Sequence, residues 1–313
     1  CHRGDRRARH GRLPDGHRRA GRHAGGGLTP ADAMGPAIRR ACVIGYPIKH
    51  SRSPKLHGYW LDRYGIDGEY NAEDVAPENV EAFLTDLAGH GYVGTNVTMP
   101  HKDAAFRLSQ PDATARAVGA ANTLWLDADG VLRSTNTDGE GFTGSLDAAA
   151  PGWAERTETA VVLGAGGASR SIVNALLGRA VGRVHVVNRT REKAEAMRAA
   201  YGAAVLPAGW NDLPGLLTGT DLLVNATSLG MNGQPPLALD VAPLPDRALV
   251  SDIVYVPLQT PLLAAAAARG LVTADGLEML LHQAVRGFEL WFGLRPEVTR
   301  EQYDLMAADI AGD

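Results

Sequence analysis

The sequence predicts an α/β fold with a largely parallel sheet, and three observations carry that prediction. Short apolar runs alternate along the chain with stretches of helical spacing, beginning at Ala41-Cys42-Val43-Ile44-Gly45. One of them, Val161-Val162-Leu163, stops at the glycine-rich turn Gly164-Ala165-Gly166-Gly167-Ala168-Ser169-Arg170, and helical spacing resumes over 171–177. A strand, a tight glycine turn and a helix N-terminus aim unpaired N–H groups and the positive helix end at one point, so the turn is read as a dinucleotide site. Gly166 has no Cβ, which lets a pyrophosphate approach the backbone. The third observation is that polar loops fall at the predicted strand ends, where ligands of α/β sheets bind.

The remaining elements follow in order. Residues 55–61 have helical character, 69–72 read as a weak strand, and 77–87 as a helix with Pro77 in its first turn. Residues 94–98 alternate as a strand, 113–118 suggest a helix, and 121–126 a strand closed by an Asp129-Gly130 turn into 131–133. Asn136-Thr137-Asp138-Gly139 marks a boundary, followed by a helix over 140–149. Beyond the glycine turn, strands are expected at 183–188, 222–226 and 248–254, and helices at 192–200, 260–268, 277–292 and 297–311.

Composition bounds the function. The chain has 313 residues, of which 45% are hydrophobic and 21% charged, the balance of a globular protein long enough for two domains. It contains no apolar run of about 18 residues, and a net charge of −4 points to neither a nucleic-acid nor a membrane partner. Cys1 and Cys42 make no disulfide framework and fit a reducing, cytoplasmic setting. Residues 1–36 read as a disordered basic leader. Residues 1–30 carry eight Arg and four His against only Asp5 and Asp15, with almost nothing apolar to offset ordering entropy. Met34 is the expected natural beginning, and no apolar core of a secretory signal is present in the leader. The sequence leaves a homodimer open.

Candidate chemistry clusters on the strand-end loops. After the second strand of the nucleotide unit, where NAD selection calls for an acid, stand Asn188, Arg189 and Thr190, with Lys193 close behind. Arg189 can grip a ribose 2′-phosphate with its planar fork, so NADP is expected rather than NAD. Ser51 and Ser53 flank Arg52 on the first loop; two hydroxyls so placed suit a polyol or a carboxylate, and Ser-Pro is also common turn chemistry. Asn96, Thr98 and Lys102 lie on the second loop, Asn96 and Thr98 on one strand face, with Pro100 holding the chain extended before Lys102. Asn122 and Thr137-Asp138 form the third. A lysine in a partly closed cleft can carry a proton, and Asp138 beside Lys102 would complete an acid/base pair. The ten histidines lack metal-ligand spacing, and no G-x-S-x-G elbow occurs.

Read together, these loops closely resemble the shikimate dehydrogenase family from about Ile38 to about residue 295. Nine segments carry the resemblance, in order. The first four are Gly45-Tyr46-Pro47-Ile48-Lys49-His50-Ser51-Arg52-Ser53-Pro54, Asn96-Val97-Thr98-Met99-Pro100-His101-Lys102, Ala120-Ala121-Asn122-Thr123-Leu124 and Asn136-Thr137-Asp138-Gly139. The glycine turn and Asn188-Arg189-Thr190 come next, then Asn225-Ala226-Thr227-Ser228, Asp252-Ile253-Val254-Tyr255, and Ala274-Asp275-Gly276-Leu277 with Gln283. The resemblance implies reversible reduction of 3-dehydroshikimate to shikimate with NADPH, on the chorismate route to aromatic amino acids. It implies Lys102 and Asp138 as the catalytic pair, and Ser51 and Ser53 on the substrate carboxylate with Tyr255 nearby. Asn96, Thr98, Asn122 and Gln283 would hold the ring hydroxyls. Residues Gly164, Ala165, Gly166, Gly167, Ala168, Ser169 and Arg170, together with Asn188, Arg189, Thr190 and Lys193, would take NADP, and Met231 and Gly276 would lie near the nicotinamide. The fold implied is a split α/β substrate domain (37–137 and 276–313) and a Rossmann-type NADP-binding domain with a parallel sheet (138–275), a cleft between them. Alternatives are a quinate or quinate/shikimate dehydrogenase, disfavoured by Arg189, and a methylenetetrahydrofolate dehydrogenase, disfavoured by the paired serines. A catalytically inactive NADP-binding regulatory protein is a further one, disfavoured by Lys102 and Asp138.

Overall fold

The computed structural model describes residues 38–312, so the expectations for the basic leader and for Met34 lie outside the described residues. The first part of the chain runs β1 (Arg39–Gly45), α1 (Ser53–Tyr64), β2 (Gly68–Asp74), α2 (Val80–Thr85) and β3 (Gly94–Val97). It continues with α3 (Lys102–Leu108), β4 (Gln110–Pro111), α4 (Ala113–Val118), β5 (Thr123–Leu126) and β6 (Leu132–Thr135). Next come α5 (Asp138–Ala149), β7 (Thr159–Leu163), α6 (Gly167–Gly178), β8 (Arg183–Val187), α7 (Arg191–Tyr201) and β9 (Val205–Ala208). The chain closes through α8 (Leu213–Leu217), β10 (Leu222–Asn225), β11 (Leu249–Asp252), α9 (Pro261–Ala268), β12 (Val272–Ala274), α10 (Gly276–Phe292) and α11 (Arg300–Ala311).

Two six-stranded sheets result, in the orders β2-β1-β3-β5-β6-β4 and β12-β11-β10-β7-β8-β9. In β1, Ala41 and Val43 face Leu56, Trp60, Phe288 and Met306, while Cys42 and Ile44 face Leu84, Ala105 and Leu124. Alternate residues of a strand point to opposite faces, and here both faces are covered, which is why the sequence shows an unbroken apolar run. β7 repeats the arrangement: Ala160 and Val162 pack with Phe142, Leu146 and Ile172, whereas Val161 and Leu163 pack with Leu213, Leu217 and Leu262. Burying one such side chain contributes about 1.5–3 kcal/mol.

The second sheet is parallel throughout. Its chain path leaves β7 toward β8 and β9, then returns to the other side of β7 with β10. The ends of β7 and β10 therefore flank the point where strand order reverses, the place such sheets bind ligands. The first sheet is mixed: β1 pairs parallel with β2 and β3, and β4 with β6, while β5 pairs antiparallel with both β3 and β6. Between β5 and β6 the cause is the short turn at 127–131, where Asp127 Oδ1 accepts from the N–H groups of Asp129 at 3.0 Å and Val131 at 2.9 Å. So few residues can join only antiparallel neighbours.

Local readings also shift. Residues 77–79 form a 3₁₀ turn and α2 begins only at Val80. Thr98 lies one residue beyond β3, and Lys102 opens α3 instead of sitting in an extended segment. The edge strand β9 contains Pro207, whose missing N–H is tolerable there and hides the strand from a sequence reading.

Candidate active site

The loops that follow β1, β3 and β11 join the starts of α5 and α10 around one cavity of about 450 Å³. Ser51, Ser53, Asn96, Thr98, Lys102, Asn122, Asp138, Tyr255, Gly276 and Gln283 all line it. Every residue expected from the sequence to touch substrate is thus brought to one place, although the polar positions are up to 232 residues apart in sequence (51 to 283). Val43, Ile48, Ile253, Met279 and Leu280 supply apolar wall between them.

A continuous polar network runs along that wall. Lys102 Nζ donates to Asp138 Oδ2 at 2.6 Å, and Asn122 Nδ2 donates to the other carboxylate oxygen at 2.8 Å. The Asn122 carbonyl oxygen Oδ1 accepts from the backbone N–H of Thr137 at 2.9 Å, which fixes which end of the amide faces Asp138, since a backbone N–H can only donate. The Asp138 backbone is set in turn: Asn136 Oδ1 accepts its N–H at 3.1 Å and the Ser171 hydroxyl at 3.0 Å. Asp138 is the first residue of α5, where a carboxylate suits the positive helix end. The carboxylate accordingly has both oxygens engaged while Lys102 retains two of its three N–H donors for the cavity.

Around this pair, Asn96 is 6% exposed, and its amide faces inward: Nδ2 donates to the Asn122 backbone carbonyl at 3.2 Å and to Thr123 Oγ1 at 3.1 Å. Gln283 Nε2 donates to Leu280 O at 3.1 Å, and its Oε1 accepts from the Thr137 hydroxyl at 3.4 Å. Ser51 Oγ accepts the Ser53 N–H at 3.4 Å, a turn that sets both hydroxyls at the start of α1. α11 braces the same loop, because Asp309 pairs with Arg52 and, at 2.6 Å, with Lys55. Tyr255 sits on the loop after β11; burial pushes its phenol upward, against the opposing charge of Arg52. That loop is anchored by buried Asp252, which accepts from Asn225 Nδ2 at 2.9 Å and Thr260 Oγ1 at 2.7 Å, burial holding its carboxyl above the usual range.

Gly276 is required by packing. A Cβ there would meet the Ile253 carbonyl oxygen at 2.3 Å, so α10 can start against the β11 loop only with glycine.

The nucleotide side is built differently. Gly164 has φ +103°, a conformation only glycine takes readily, and turns the chain out of β7. Gly166 and Gly167 are exposed, have no positive φ, and a Cβ on either would meet nothing within 4 Å. Nothing in the chain itself calls for glycine at these two positions. They line a cavity of about 520 Å³ with Ala165, Arg170, Lys193 and Arg116. Asn188 and Arg189 line another, of about 450 Å³, with Trp210, Thr227 and Ser228. Asn188 Nδ2 donates to Thr190 O at 2.8 Å and shapes the turn that exposes Arg189. The open cradle and the cations Arg189, Lys193 and Arg170 suit a phosphorylated dinucleotide. Ser169 departs from this picture: the residue is fully buried and its hydroxyl has no hydrogen-bond partner among the described residues. Met231 stands 38% exposed on the chain after β10.

Sequence reasoning missed Tyr70, whose hydroxyl donates to Asn96 Oδ1 at 2.6 Å, and Thr123, which bridges Asn96 and Asn122. Tyr70 lies on the inward face of a strand whose alternation is weak, and Thr123 is one more β-branched strand residue; neither carries a signal of its own. Among the described residues no cluster of three His, Cys, Asp or Glu is placed to hold a metal ion, and no helix is long and apolar enough to cross a membrane.

Comparison with known proteins agrees with this geometry. Three family models match in succession: the shikimate dehydrogenase substrate binding domain over residues 43–124, shikimate/quinate 5-dehydrogenase over 151–231, and the shikimate 5′-dehydrogenase C-terminal domain over 276–300. The shikimate dehydrogenase (NADP+) of Rhodopseudomonas palustris strain TIE-1 is 60% identical over 278 residues, covering 89% of this chain and 99% of that protein. That of Nitrobacter winogradskyi is 59% identical, covering 87% and 97%. Among solved structures, the Thermus thermophilus shikimate 5-dehydrogenase in complex with NADP(H) and shikimate superposes with a TM-score of 0.77 at 32% identity, covering 87% of this chain and all of that one. The quinate dehydrogenase of Corynebacterium glutamicum in complex with NAD gives 0.78 at 30% identity, covering 86% and 99%. With both sheets, the polar cavity and the glycine cradle in place, the chain belongs to the shikimate dehydrogenase family.

Proposed function

We infer that the protein is an NADP-dependent shikimate dehydrogenase, reversibly reducing 3-dehydroshikimate to shikimate in aromatic amino-acid biosynthesis. The observation that carries the mechanism is the Lys102–Asp138 pair at 2.6 Å inside a cavity that Gly276 and Tyr255 close from the other side. When bound, NADPH supplies the hydride. Reduction of a ketone builds negative charge on its oxygen, and a proton must arrive there. Lys102 is the group placed to deliver it, and in the reverse direction to accept it from the alcohol. Asp138 keeps the ammonium at that point, and Asn122 keeps Asp138 from turning away. Ser51 and Ser53, at the start of α1, hold the substrate carboxylate with Tyr255 nearby; Asn96, Thr98, Asn122 and Gln283 take the ring hydroxyls. Gly164 through Arg170 cradle the pyrophosphate, with Ser169 buried beneath the turn. Asn188, Arg189, Thr190 and Lys193 hold the adenosine 2′-phosphate end, and Met231 and Gly276 border the nicotinamide.

In this reading the chain divides into a split substrate domain (37–137 and 276–313) and a cofactor domain (138–275), acting in the cytoplasm on a small-molecule substrate. Two packing facts support the division. Phe142 and Leu146 of α5 pack with the second sheet, whereas Leu281, Phe288 and Trp291 of α10 pack with β1 and α1.

Replacing Lys102 tests the assignment. A Lys102→Ala enzyme should lose kcat for shikimate oxidation by about 10²–10⁴-fold while its affinity for NADP+, read by fluorescence titration, stays unchanged. Near-wild-type kcat in that variant would overturn the mechanism. The wild type should also prefer shikimate with NADP+ over quinate with NAD+ in kcat/KM; the opposite preference would move it to the quinate side of the family.

A further inference from the structure

One buried phenol beside the substrate cavity has no part in the mechanism above. Tyr70 projects from β2, and its hydroxyl donates to Asn96 Oδ1 at 2.6 Å. Its ring is held on the far side by His57, one turn beyond Ser53 on α1, stacked at 4.0 Å between centroids with an interplanar angle of 16°. His57 is itself fully buried among Trp60, Phe288 and Trp291. The Asn96 amide affects its titration, yet neither ring nitrogen is in hydrogen-bonding geometry with a partner.

The consequence for Asn96 follows from donor and acceptor inventories. Its Nδ2 is committed to the Asn122 backbone carbonyl, which can only accept, so Oδ1 must face the other way. There it needs a donor, and Tyr70 is the one present. We propose that Tyr70 is a positioning residue for substrate binding: its hydroxyl locks the Asn96 amide, whose two N–H groups are already spent, so that the second lone pair of Oδ1 is held ready to accept from a ring hydroxyl. This rests on the reading that Asn96 contacts substrate. The lock extends further, because Asn96 Nδ2 also occupies Thr123 Oγ1, whose proton then goes to Asn122 Oδ1 at 3.1 Å. The same Asn122 amide donates to Asp138. Removing the phenolic oxygen leaves a buried carbonyl without a donor, and the amide is then free to tilt.

The test is Tyr70→Phe, which keeps the ring, its packing and its stack on His57. We expect the KM for shikimate to rise about tenfold, kcat to stay within about twofold, and the KM for NADP+ to be unchanged. In an Asn96→Ala background the same substitution should add nothing, because its route to substrate is gone. An unchanged shikimate KM in Tyr70→Phe with a raised one in Asn96→Ala overturns the role of Tyr70 alone. An unchanged shikimate KM in Asn96→Ala overturns the reading of Asn96 and this proposal with it. Equal effects of Tyr70→Phe in both backgrounds overturn the route through Asn96. A measurement on the wild type removes any dependence on how the variant folds: the side-chain amide protons of Asn96 should exchange slowly by NMR and shift on addition of shikimate. A rapidly exchanging pair overturns the lock.

Discussion

The substrate wall and the nucleotide turn solve the same problem, holding a polar ligand, by opposite means. Along the wall, Lys102, Asp138, Asn122, Thr123, Asn96 and Tyr70 are already bonded to one another, and each amide has a single orientation. At the turn, the protein offers backbone around Gly166 and Gly167 with open space above it, and exposed cations at Arg170, Arg189 and Lys193. The wall is ordered before substrate arrives, which favours discrimination among similar polyols. A site made to hydrogen-bond a hydroxyl rejects an analogue lacking it, since the buried groups are left unpaired. The turn becomes complete only when phosphate oxygens fill it, which suits a cofactor that must enter and leave in every cycle.

If that contrast is right, changes on the two sides should separate cleanly in the kinetics, and the largest separation belongs to Arg189. On the proposed assignment, replacing it with Ala removes a charge-assisted fork to the 2′-phosphate, worth about 1.5–3 kcal/mol. The KM for NADP+ should therefore rise by roughly 10- to 100-fold, while the KM for NAD+ and for shikimate change little. A comparable loss with NAD+ would show that Arg189 serves the fold or the adenine and not the phosphate.

A smaller effect, and a sharper one, compares two glycines. Gly166→Ala places a methyl in empty space, so thermal stability should hold, yet the methyl would occupy the proposed pyrophosphate site and NADP+ affinity should fall about tenfold. Gly276→Ala acts first on packing. Its methyl would lie 2.3 Å from the Ile253 carbonyl oxygen, and the start of α10 must shift, costing about 1–3 kcal/mol of stability. Differential scanning calorimetry and cofactor titration of the two variants decide it; a large drop in melting temperature for Gly166→Ala would remove the contrast between glycine for a ligand and glycine for packing.

How much of this was legible in the sequence depends on where a residue's partners lie. Ser51, Lys102, Asp138 and Arg189 interrupt apolar patterns at strand ends, and a polar residue at such a place signals a ligand without any tertiary knowledge. The glycine turn is equally local. Tyr70 and Asn96 are 26 residues apart and meet only because β2 and β3 flank β1, a pairing that no pattern within either strand announces. The mixed first sheet was half legible. The Asp129-Gly130 turn was visible, and its brevity alone fixes β5 and β6 as antiparallel. Ser169 fits the family's glycine turn, but only the packing of α6 shows that its side chain faces the core.

The smallest effect near neutral pH concerns His57, the ring that backs Tyr70. Burial lowers its pKa from 6.5 to about 3, against the opposing Asn96 amide, so the folded protein keeps it neutral where an unfolded chain would protonate it. Above about pH 6.5 both states hold the neutral ring and His57 adds no pH dependence. Below that the unfolded state binds the extra proton, so the stability associated with the neutral ring is lost progressively as pH falls from 6.5 toward 3. The slope for one such group approaches about 1.4 kcal/mol per pH unit. A His57→Phe variant has nothing to titrate at this position, so between pH 6 and 4 its urea-unfolding free energy should fall less steeply than that of the wild type by up to that amount per unit. Parallel curves for the two proteins would mean that the ring reaches a proton or a partner in the folded state, and that the back of the substrate wall is less sealed than the aromatic packing around His57 indicates.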